Sequence, residues 1–317
     1  MRLDIDGRNC ELESGRSILD AVKKEGLDSI MLSDRPLAAQ IGGEVFNLRF
    51  TPKKDTQIHL LRYGEDMGRR VYERTLQFLF ILAMRKEFPR ARVCVRYSLG
   101  PGLFITVDGM EEPFNEEAAL KVETEMRRLV RLKLPLERRR ISIKEALSFY
   151  EQDGQADKAK LLKWRRFSYF DVYQIDGYMD YFYGEMAPDT SYADVFRVKY
   201  VHDGAVVLLM PRNDAPDVPS DYVDLPKLHA VFHQSDEWGK LMECATVNDL
   251  NTHIQNGTIR ELVRINEALH DRGYADIADK IVQKGAKAVL VAGPSATAFA
   301  GLSSGHAVAG RLLHRPG

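Results

Sequence analysis

The stretch that decides the fold is "HLLRYGEDMGRRVYERTLQFLFILAMRKEF", residues 59–88. It starts as the end of an apolar strand, passes a glycine, and continues as a long apolar helix. Four residues of this helix recur at spacings of three and four: Val71, Thr75, Phe78 and Leu82. This spacing places them on one face and predicts a mostly buried helix. The helix therefore opens a second unit behind a smaller, strand-rich one.

Residues 1–62 are the strand-rich unit. Alternating polar and apolar residues around Gly7 predict a hairpin, and "SILDAVKKEG" predicts a short helix that stops at Gly26. The Gly42–Gly43 pair predicts a second hairpin, and "TQIHLL" predicts a last strand. Two strands, one helix and three strands in this order predict a β-grasp fold.

Residues 63–222 contain strands and helices without regular βαβ alternation, which predicts an α+β domain. Asn115 precedes a helix that has acidic residues in its first turn, as an N-cap does. A proline-rich polar stretch at the end of this domain predicts a surface crossover. Helical patterns dominate residues 223–285, which predicts a helical connector. Residues 286–317 begin with the pattern of a buried strand that leads into a glycine-containing loop.

The composition argues for an ordinary globular protein. The net charge is -1, so no global basic field indicates nucleic-acid binding, although local patches remain possible. Cys10, Cys94 and Cys244 lie far apart, which predicts neither a disulfide scaffold nor a structural zinc site. The longest apolar run, residues 78–84, is too short to cross a bilayer. We therefore expect a cytoplasmic protein that has no membrane partner.

Residues 1–62, together with the stretch "HLLRYGEDMGRRVYERTL" at 59–76 that ends this segment, resemble the TGS domain that precedes threonyl-tRNA synthetases and occurs in some GTPases. The next domain resembles the editing-type, or second additional, domain of those synthetases. In that family an HxxxH pair on the first long helix and a later CxxxH form a metal-type site that hydrolyses mischarged tRNA. Histidines at i and i+4 share a helix face and can converge on one ion.

The four positions of that site depart from the family pattern. Arg74 and Phe78 stand where the resemblance places the two histidines, and Glu185 and Asp189 stand at the Cys and His positions. A phenylalanine can neither ligate a metal nor carry a proton, so we expect no catalytic or metal-ligating residues here. Arg74, Glu185 and Asp189 could bind a small polar ligand as a cluster, or could form a structural ion pair, which is the favoured interpretation.

The C-terminal third carries a second resemblance. "VFHQSDEWGKLMECATVNDLNTHIQNG", "INEALHDRGYADIADKIV" and "AKAVLVAGPS" are similar to a bacterial nucleoside kinase family of the uridine kinase type. Its members carry TGS and synthetase-editing-like domains ahead of a P-loop kinase domain. The resemblance implies ATP and Mg²⁺ as cofactors and a nucleoside whose 5′-hydroxyl is phosphorylated. It places Gly293, Pro294 and Ser295 at the entrance of the P-loop.

The loop itself lacks the required chemistry. A P-loop reads GxxxxGK[ST], in which the lysine reaches the phosphates and the hydroxyl binds Mg²⁺. Ala298, Phe299 and Ala300 occupy the positions of the second glycine, the lysine and the hydroxyl. We therefore expect a vestigial entrance to an incomplete P-loop domain, without kinase turnover. The residues after Ser295 are rich in Ala and Gly, which suggests a frameshift or early end; the alternative is a short paralogue.

Two function classes follow. The leading interpretation is the N-terminal portion of a nucleoside kinase that is itself inactive. The alternative is a stand-alone RNA-binding or regulatory module without catalysis; an editing hydrolase is disfavoured. A basic cluster in residues 127–140 could contact RNA or could be a solvated helix face; the solvated face is the favoured interpretation. The aromatic residues of 164–184 could stack on bases, or they could form the sheet and rim of the pocket that serves editing in the synthetases. The second interpretation is favoured.

Overall fold

The structure, a computed structural model, describes residues 1–201, 204–286 and 288. The fold is mixed α+β and divides into two compact units. The first contains residues 1–146 and 167–229, and the second contains residues 147–166 and the chain from residue 230 onward.

The strands are β1 (Arg2–Ile5), β2 (Arg8–Glu11), β3 (Ala38–Ile41), β4 (Glu44–Phe46), β5 (Thr56–Leu61), β6 (Arg92–Leu99), β7 (Gly102–Asp108), β8 (Glu137–Ser142), β9 (Tyr169–Ile175), β10 (Tyr178–Asp180), β11 (Arg197–Tyr200), β12 (Ala205–Leu209), β13 (Pro211–Arg212) and β14 (Ala215–Pro219). The helices are α1 (Ile18–Lys24), α2 (Asp66–Glu87), α3 (Glu116–Leu132), α4 (Ile143–Gln152), α5 (Ala156–Leu162), α6 (Pro226–Leu241), α7 (Val247–Gln255) and α8 (Ile259–Gln283), with a 3₁₀ turn at Thr190–Tyr192.

The first five strands form one mixed sheet in the order β2-β1-β5-β3-β4. Its first and last strands in the sequence, β1 and β5, pair in parallel, and the other neighbours are antiparallel. Helix α1 starts with a capping box formed by Ser17 and Asp20, and Gly26 follows it in the left-handed region at φ 64°. The order of elements that the sequence predicts for residues 1–62 is confirmed.

Helix α2 is the centre of the first unit. The residues predicted to share its buried face are all at most 2% exposed: Val71, Thr75, Phe78 and Leu82. Thr75 also carries a polar link, because its hydroxyl donates to the Val71 carbonyl (2.8 Å) and accepts from the Ala187 amide (2.9 Å). This link holds the loop around residue 187 against the helix.

A four-stranded antiparallel sheet, in the order β11-β12-β7-β6, follows α2, and α3 packs against both α2 and β11. Asn115 caps α3 by accepting from the Ala118 amide at 2.9 Å, as its position predicts. Arg127 pairs with Glu123 at 2.6 Å, and both bond the chain at β11: Arg127 donates to the Phe196 carbonyl (3.1 Å) and Glu123 accepts from the Val198 amide (2.8 Å), so this part of the basic cluster packs on the protein instead of lying on a solvated face. The helix ends at Leu132, so the arginines of residues 138–140 belong to strand β8 instead.

Strand β8 lies at the edge of a three-stranded sheet whose order is β10-β9-β8. The aromatic segment of residues 164–184 supplies β9 and β10, so much of it is sheet. The proline-rich stretch that predicts a surface crossover contains a short hairpin, β13–β14, in the first unit. A buried hydrogen bond from the Ser220 hydroxyl to the Met210 carbonyl, 2.5 Å long, closes the segment that contains it.

The second unit is helical over its described part. Trp164 donates to the Asn248 side-chain oxygen at 3.0 Å, which joins the end of α5 to α7. The ring of Trp238 on α6 meets that of His270 on α8, with centroids 5.3 Å apart. Among the described residues, no helix combines the length and apolarity that a bilayer crossing requires.

Candidate functional site

A cleft of about 1030 Å³ in the first unit brings four segments together. One wall is β4 with the turn that follows it, and the other walls are the first turns of α2, strand β8 and the loop at residues 184–185. The lining residues are Glu44, Val45, Phe46, Asn47, Arg49, Phe50, Met67, Arg70, Arg74, Leu136, Glu137, Arg138, Arg139, Gly184 and Glu185. With five arginines against three glutamates, this arginine cleft is locally basic in a chain of net charge -1.

Arg138 links the β8 wall of the cleft to the loop beside it. Its guanidinium forms ion pairs with Glu185 and, at 3.1 Å, with Asp171 on β9. Asp171 also pairs with Arg140 at 2.8 Å, and hydrogen bonds from Arg140 and Arg138 lower the pKa of the Asp171 carboxyl. The positive charge of Arg138 is thus largely used within the protein.

Tyr173 completes the support of Glu185. Its hydroxyl lies 3.0 Å from Glu185 Oε2 and 3.1 Å from the Gly184 carbonyl oxygen. Burial, followed by the neighbouring Glu185 charge, raises the pKa of Tyr173 well above its ordinary value, so the phenol remains a neutral donor. The Glu185 carboxylate is therefore held by Arg138 and Tyr173.

Arg49 and Arg139 line different walls of the cleft, since Arg49 follows β4 and Arg139 belongs to β8. Arg49 donates through Nε to the Pro188 carbonyl at 2.9 Å and forms an ion pair with Asp189 at 3.5 Å. Arg139 donates to the side-chain oxygen of Gln174 at 2.6 Å, a neutral partner that leaves its charge uncompensated.

Arg74 lies across the loop at the base of the cleft. Its Nε donates to the Glu185 carbonyl at 2.9 Å, and its guanidinium covers Gly184 so closely that a Cβ there would lie 2.9 Å from Arg74 Cζ. Burial, the largest effect, lowers the pKa of Arg74, although a guanidinium stays charged at neutral pH. Arg70, one turn earlier on α2, lines the same cleft and is exposed.

The four positions that the resemblance aligns with an editing site lie in three environments. Arg74 and Glu185 meet in the arginine cleft. Phe78 is fully buried and packs on Phe182 (ring centroids 5.3 Å apart) and Tyr178 (5.9 Å). Asp189 caps the 3₁₀ turn by accepting from the Ser191 amide at 3.0 Å. Phe78 and Asp189 therefore have structural roles.

None of the described residues that line the cleft is a histidine or a cysteine. In the part of the chain that the structure describes, no set of three or more His, Cys, Asp or Glu side chains is arranged to hold a metal ion. The P-loop prediction, with its ATP and Mg²⁺, falls on Gly293, Pro294 and Ser295, which lie outside the described residues.

Sequence reasoning found Arg74 and Glu185 but missed most of the cleft. Arg138 and Arg139 belong to the basic cluster of residues 127–140, whereas the missed residues that matter most are Phe46, Arg49, Phe50 and Arg70. A usable signal was the spacing of Arg70 and Arg74, since residues at i and i+4 share a helix face. The other residues come from distant segments and have no common sequence pattern.

The chain's relatives among known proteins are tRNA ligases, and no family model matches it. They are named threonine–tRNA ligase: the protein of Clostridium kluyveri is 25% identical over 194 residues, 61% of this chain and 30% of that relative. The Carboxydothermus hydrogenoformans protein is 27% identical over 175 residues (53% and 26%), and the Acetivibrio thermocellus protein is 28% identical over 160 (50% and 24%).

The chain thus spans less than a third of the length of these relatives. The similarity supports TGS and editing-like domains of the synthetase type. These relatives lend no support to the kinase-type resemblance of the C-terminal third.

Proposed function

We propose that the first unit is a synthetase-like module that binds RNA in the arginine cleft without hydrolysing it. Residues 1–62 would be its β-grasp domain of the TGS type, and residues 63–222 include its editing-type domain. The observation that carries the proposal is the combination of five arginines and two phenylalanines in one open cleft. The names of the relatives point to tRNA as the RNA.

The chemistry of the lining suits a nucleic acid. Arginines bind phosphates and release counterions, and aromatic rings stack on unpaired bases whatever their identity. Phe46 and Phe50 present such rings, with centroids 4.5 Å apart, and Phe50 is 37% exposed. Because the whole chain is nearly neutral, the basic character belongs to this surface rather than to the average composition.

The same geometry argues against hydrolysis. Hydrolysis of an ester needs a positioned nucleophile or an activated water together with a base. Phe78 lies in the core, and the carboxylate of Glu185 is paired with Arg138 and hydrogen-bonded to Tyr173. We therefore propose binding without turnover, which suits a regulatory or sequestering role.

The test is tRNA binding by the full chain, measured by fluorescence anisotropy across a range of salt concentrations. We expect log Kd to change linearly with log salt, and Arg139→Gln to reduce the slope by about 0.7–0.9, one phosphate contact. Arg90→Gln is the matched control, because Arg90 is exposed, pairs with Glu111 at 2.6 Å, and lies outside the cleft. Binding that is absent, or that both variants reduce equally, contradicts the proposal.

A second measurement addresses turnover. The full chain is incubated with mischarged threonine-specific tRNA, and released amino acid is followed over time. We expect the rate of the uncatalysed reaction. Release well above that rate shows that the cleft retains hydrolytic chemistry and overturns the non-catalytic part of the proposal.

A further inference from the structure

Three of the five arginines in the cleft are not neutralised by an ion pair among the described residues: Arg139, which bonds the neutral Gln174, and the pair Arg70 and Arg74. Arg70 and Arg74 lie one turn apart on α2, and neither forms an ion pair with a carboxylate of the described residues. The nearest acidic neighbour in sequence, Glu73, instead accepts a hydrogen bond from Gln77 at 3.0 Å. Glu185 accepts a hydrogen bond from Arg74 through its backbone carbonyl, while its carboxylate is paired with Arg138 and acts on Arg74 as a nearby charge.

Like charges at i and i+4 on a helix repel each other. The Arg70 charge acts on Arg74 in this sense and lowers the pKa of Arg74, although burial lowers it more and the larger effects of the Glu73 and Glu185 charges raise it. Such a pair is relieved by an anion that bridges both guanidinium groups. Arginine forms bidentate hydrogen bonds with phosphate oxygens, and two arginines suit a dianion better than a monoanion.

The wall of the cleft formed by β4 and the turn after it offers an apolar surface that suits a flat ring. Phe46 belongs to β4 and Phe50 to the turn after it, and their tilted rings contact each other. Asn47, between them, uses its amide to donate to the Met186 carbonyl at 2.9 Å, which anchors this wall to the loop beside α2. The aromatic wall is therefore held in place before any ligand binds.

The charge of Arg74 also sets what the cleft rejects. An aminoacyl ester carries a positively charged α-ammonium group, which the Arg70–Arg74 pair repels. A phosphomonoester carries a charge of roughly -1.5 to -2 near neutral pH, which the pair attracts. The arginine at position 74 thus favours a phosphorylated nucleotide over a charged aminoacyl end.

We propose that the arginine cleft binds a nucleoside phosphomonoester, with its phosphate on Arg70 and Arg74 and its base on Phe46 and Phe50. The inference rests on the proposed function in using the same cleft, and it adds the group that is recognised. The ligand is either a free mononucleotide or the 3′-phosphate end of an RNA, because both present a base and a terminal phosphate.

The experiment compares phosphorylated and unphosphorylated probes on the full chain. One arm titrates AMP and UMP against adenosine and uridine by calorimetry. The other compares a fluorescent RNA hairpin ending in a 3′-phosphate with the same hairpin ending in a 3′-hydroxyl. We expect the phosphorylated member to bind at least about tenfold tighter in one arm, and that arm identifies the source.

Variants assign the preference to the residues. Arg70→Gln and Arg74→Gln should each reduce the phosphate preference several-fold, whereas Arg69→Gln should leave it unchanged. Arg69 is the matched control because it neighbours Arg70 but pairs with Asp66 and bonds Asn213, away from the cleft. Arg70 is exposed, so Arg70→Gln keeps the test valid even if Arg74→Gln destabilises the loop.

Phe46→Leu should weaken nucleoside and nucleotide equally, since it removes stacking and leaves the arginines in place. Equal binding of phosphorylated and unphosphorylated probes in both arms overturns the inference. The proposed function then stands or falls separately, on the salt-dependent binding of the 3′-hydroxyl hairpin. A phosphate preference that Arg70→Gln leaves intact also overturns the inference, because another site then binds the phosphate.

Discussion

The guanidinium of Arg35 forms two hydrogen bonds with the carboxylate of Asp194, 2.9 Å and 3.0 Å long. Arg35 belongs to the loop that follows α1, and Asp194 lies just before β11. The guanidinium is only 7% exposed and also donates to the Ser29 carbonyl at 3.0 Å. This bidentate pair therefore joins the N-terminal sheet to the part of the first unit built around α2.

Removing this pair should destabilise the first unit. Arg35→Ala leaves Asp194 and a buried set of carbonyls without their donor, which costs about 2 to 3 kcal/mol of the free energy of unfolding. We expect a smaller loss of unfolding free energy than for a fully buried ion pair, because the Asp194 side chain is 33% exposed. Urea denaturation measures it. Arg16→Ala, at a fully solvated pair with Glu13, should change stability by less than about 0.5 kcal/mol.

The stability of the first unit should also depend on pH through His59. Its Nε2 lies 2.7 Å from Glu65 and its Nδ1 lies 2.8 Å from Asp6, so both ring nitrogens can donate only when the imidazole is protonated. Hydrogen bonds to Glu65 and then to Asp6 raise the pKa of His59 above its ordinary 6.5. The stabilisation is fully present below pH 6.5 and is lost as the pH rises through the raised pKa.

Thermal melts between weakly acidic and weakly basic pH test this dependence. Wild type should lose stability as the pH rises, and His59→Gln should show a flatter profile over the same window. Asp6 titrates in the opposite sense, because its pKa is lowered and its contribution is lost on acidification. A wild-type profile that is flat above pH 6.5 contradicts the assignment to His59.

Local patterns explain which parts of this fold the sequence predicts. The buried face of α2, the Asn115 cap and the order of elements in residues 1–62 each depend on residues a few positions apart. Their physical basis, helical periodicity and capping, is contained in short windows of sequence. They could therefore be derived before the structure was known.

The arginine cleft could not be derived in this way. Its walls come from segments near residues 46, 70, 138 and 185, and only tertiary packing brings α2 together with the sheets that contain β4 and β8. The grouping of residues 147–166 with the chain beyond residue 230 is equally non-local. A resemblance pointed to Arg74 and Glu185, and a basic cluster contained Arg138 and Arg139, whereas the inclusion of Arg49 and Arg70 needed the tertiary contacts.

Gly68 should be intolerant of any side chain. A Cβ at this position in the first turn of α2 would lie 1.9 Å from the Arg62 carbonyl oxygen, a backbone atom that cannot move away easily. We expect Gly68→Ala to destabilise the first unit by about 2 to 3 kcal/mol, as overpacking does. Gly273→Ala is the control within a helix, because its Cβ would make only an ordinary 3.7 Å contact with Trp238. The control should be neutral or stabilise by up to about 1 kcal/mol.

Restoring histidines at the two helix positions should not restore an editing site. Phe78 is fully buried between Phe182 and Tyr178, so Phe78→His replaces core packing with a polar ring and should cost about 3 kcal/mol of stability. Arg74→His alone should be tolerated better, because Arg74 is only partly buried, and it should remove the guanidinium that covers Gly184.

The double variant Arg74→His/Phe78→His supplies the i and i+4 spacing without the later ligands, since Glu185 is paired with Arg138 and Asp189 caps the 3₁₀ turn. We therefore expect neither zinc binding by calorimetry nor release of amino acid from mischarged tRNA. A stable double variant that binds zinc tightly would show that Phe78 can turn out of the core and that the scaffold retains a competent geometry. The single variant Arg74→His separates the change in the cleft from the loss of core packing, because it alters the cleft and leaves Phe78 in the core.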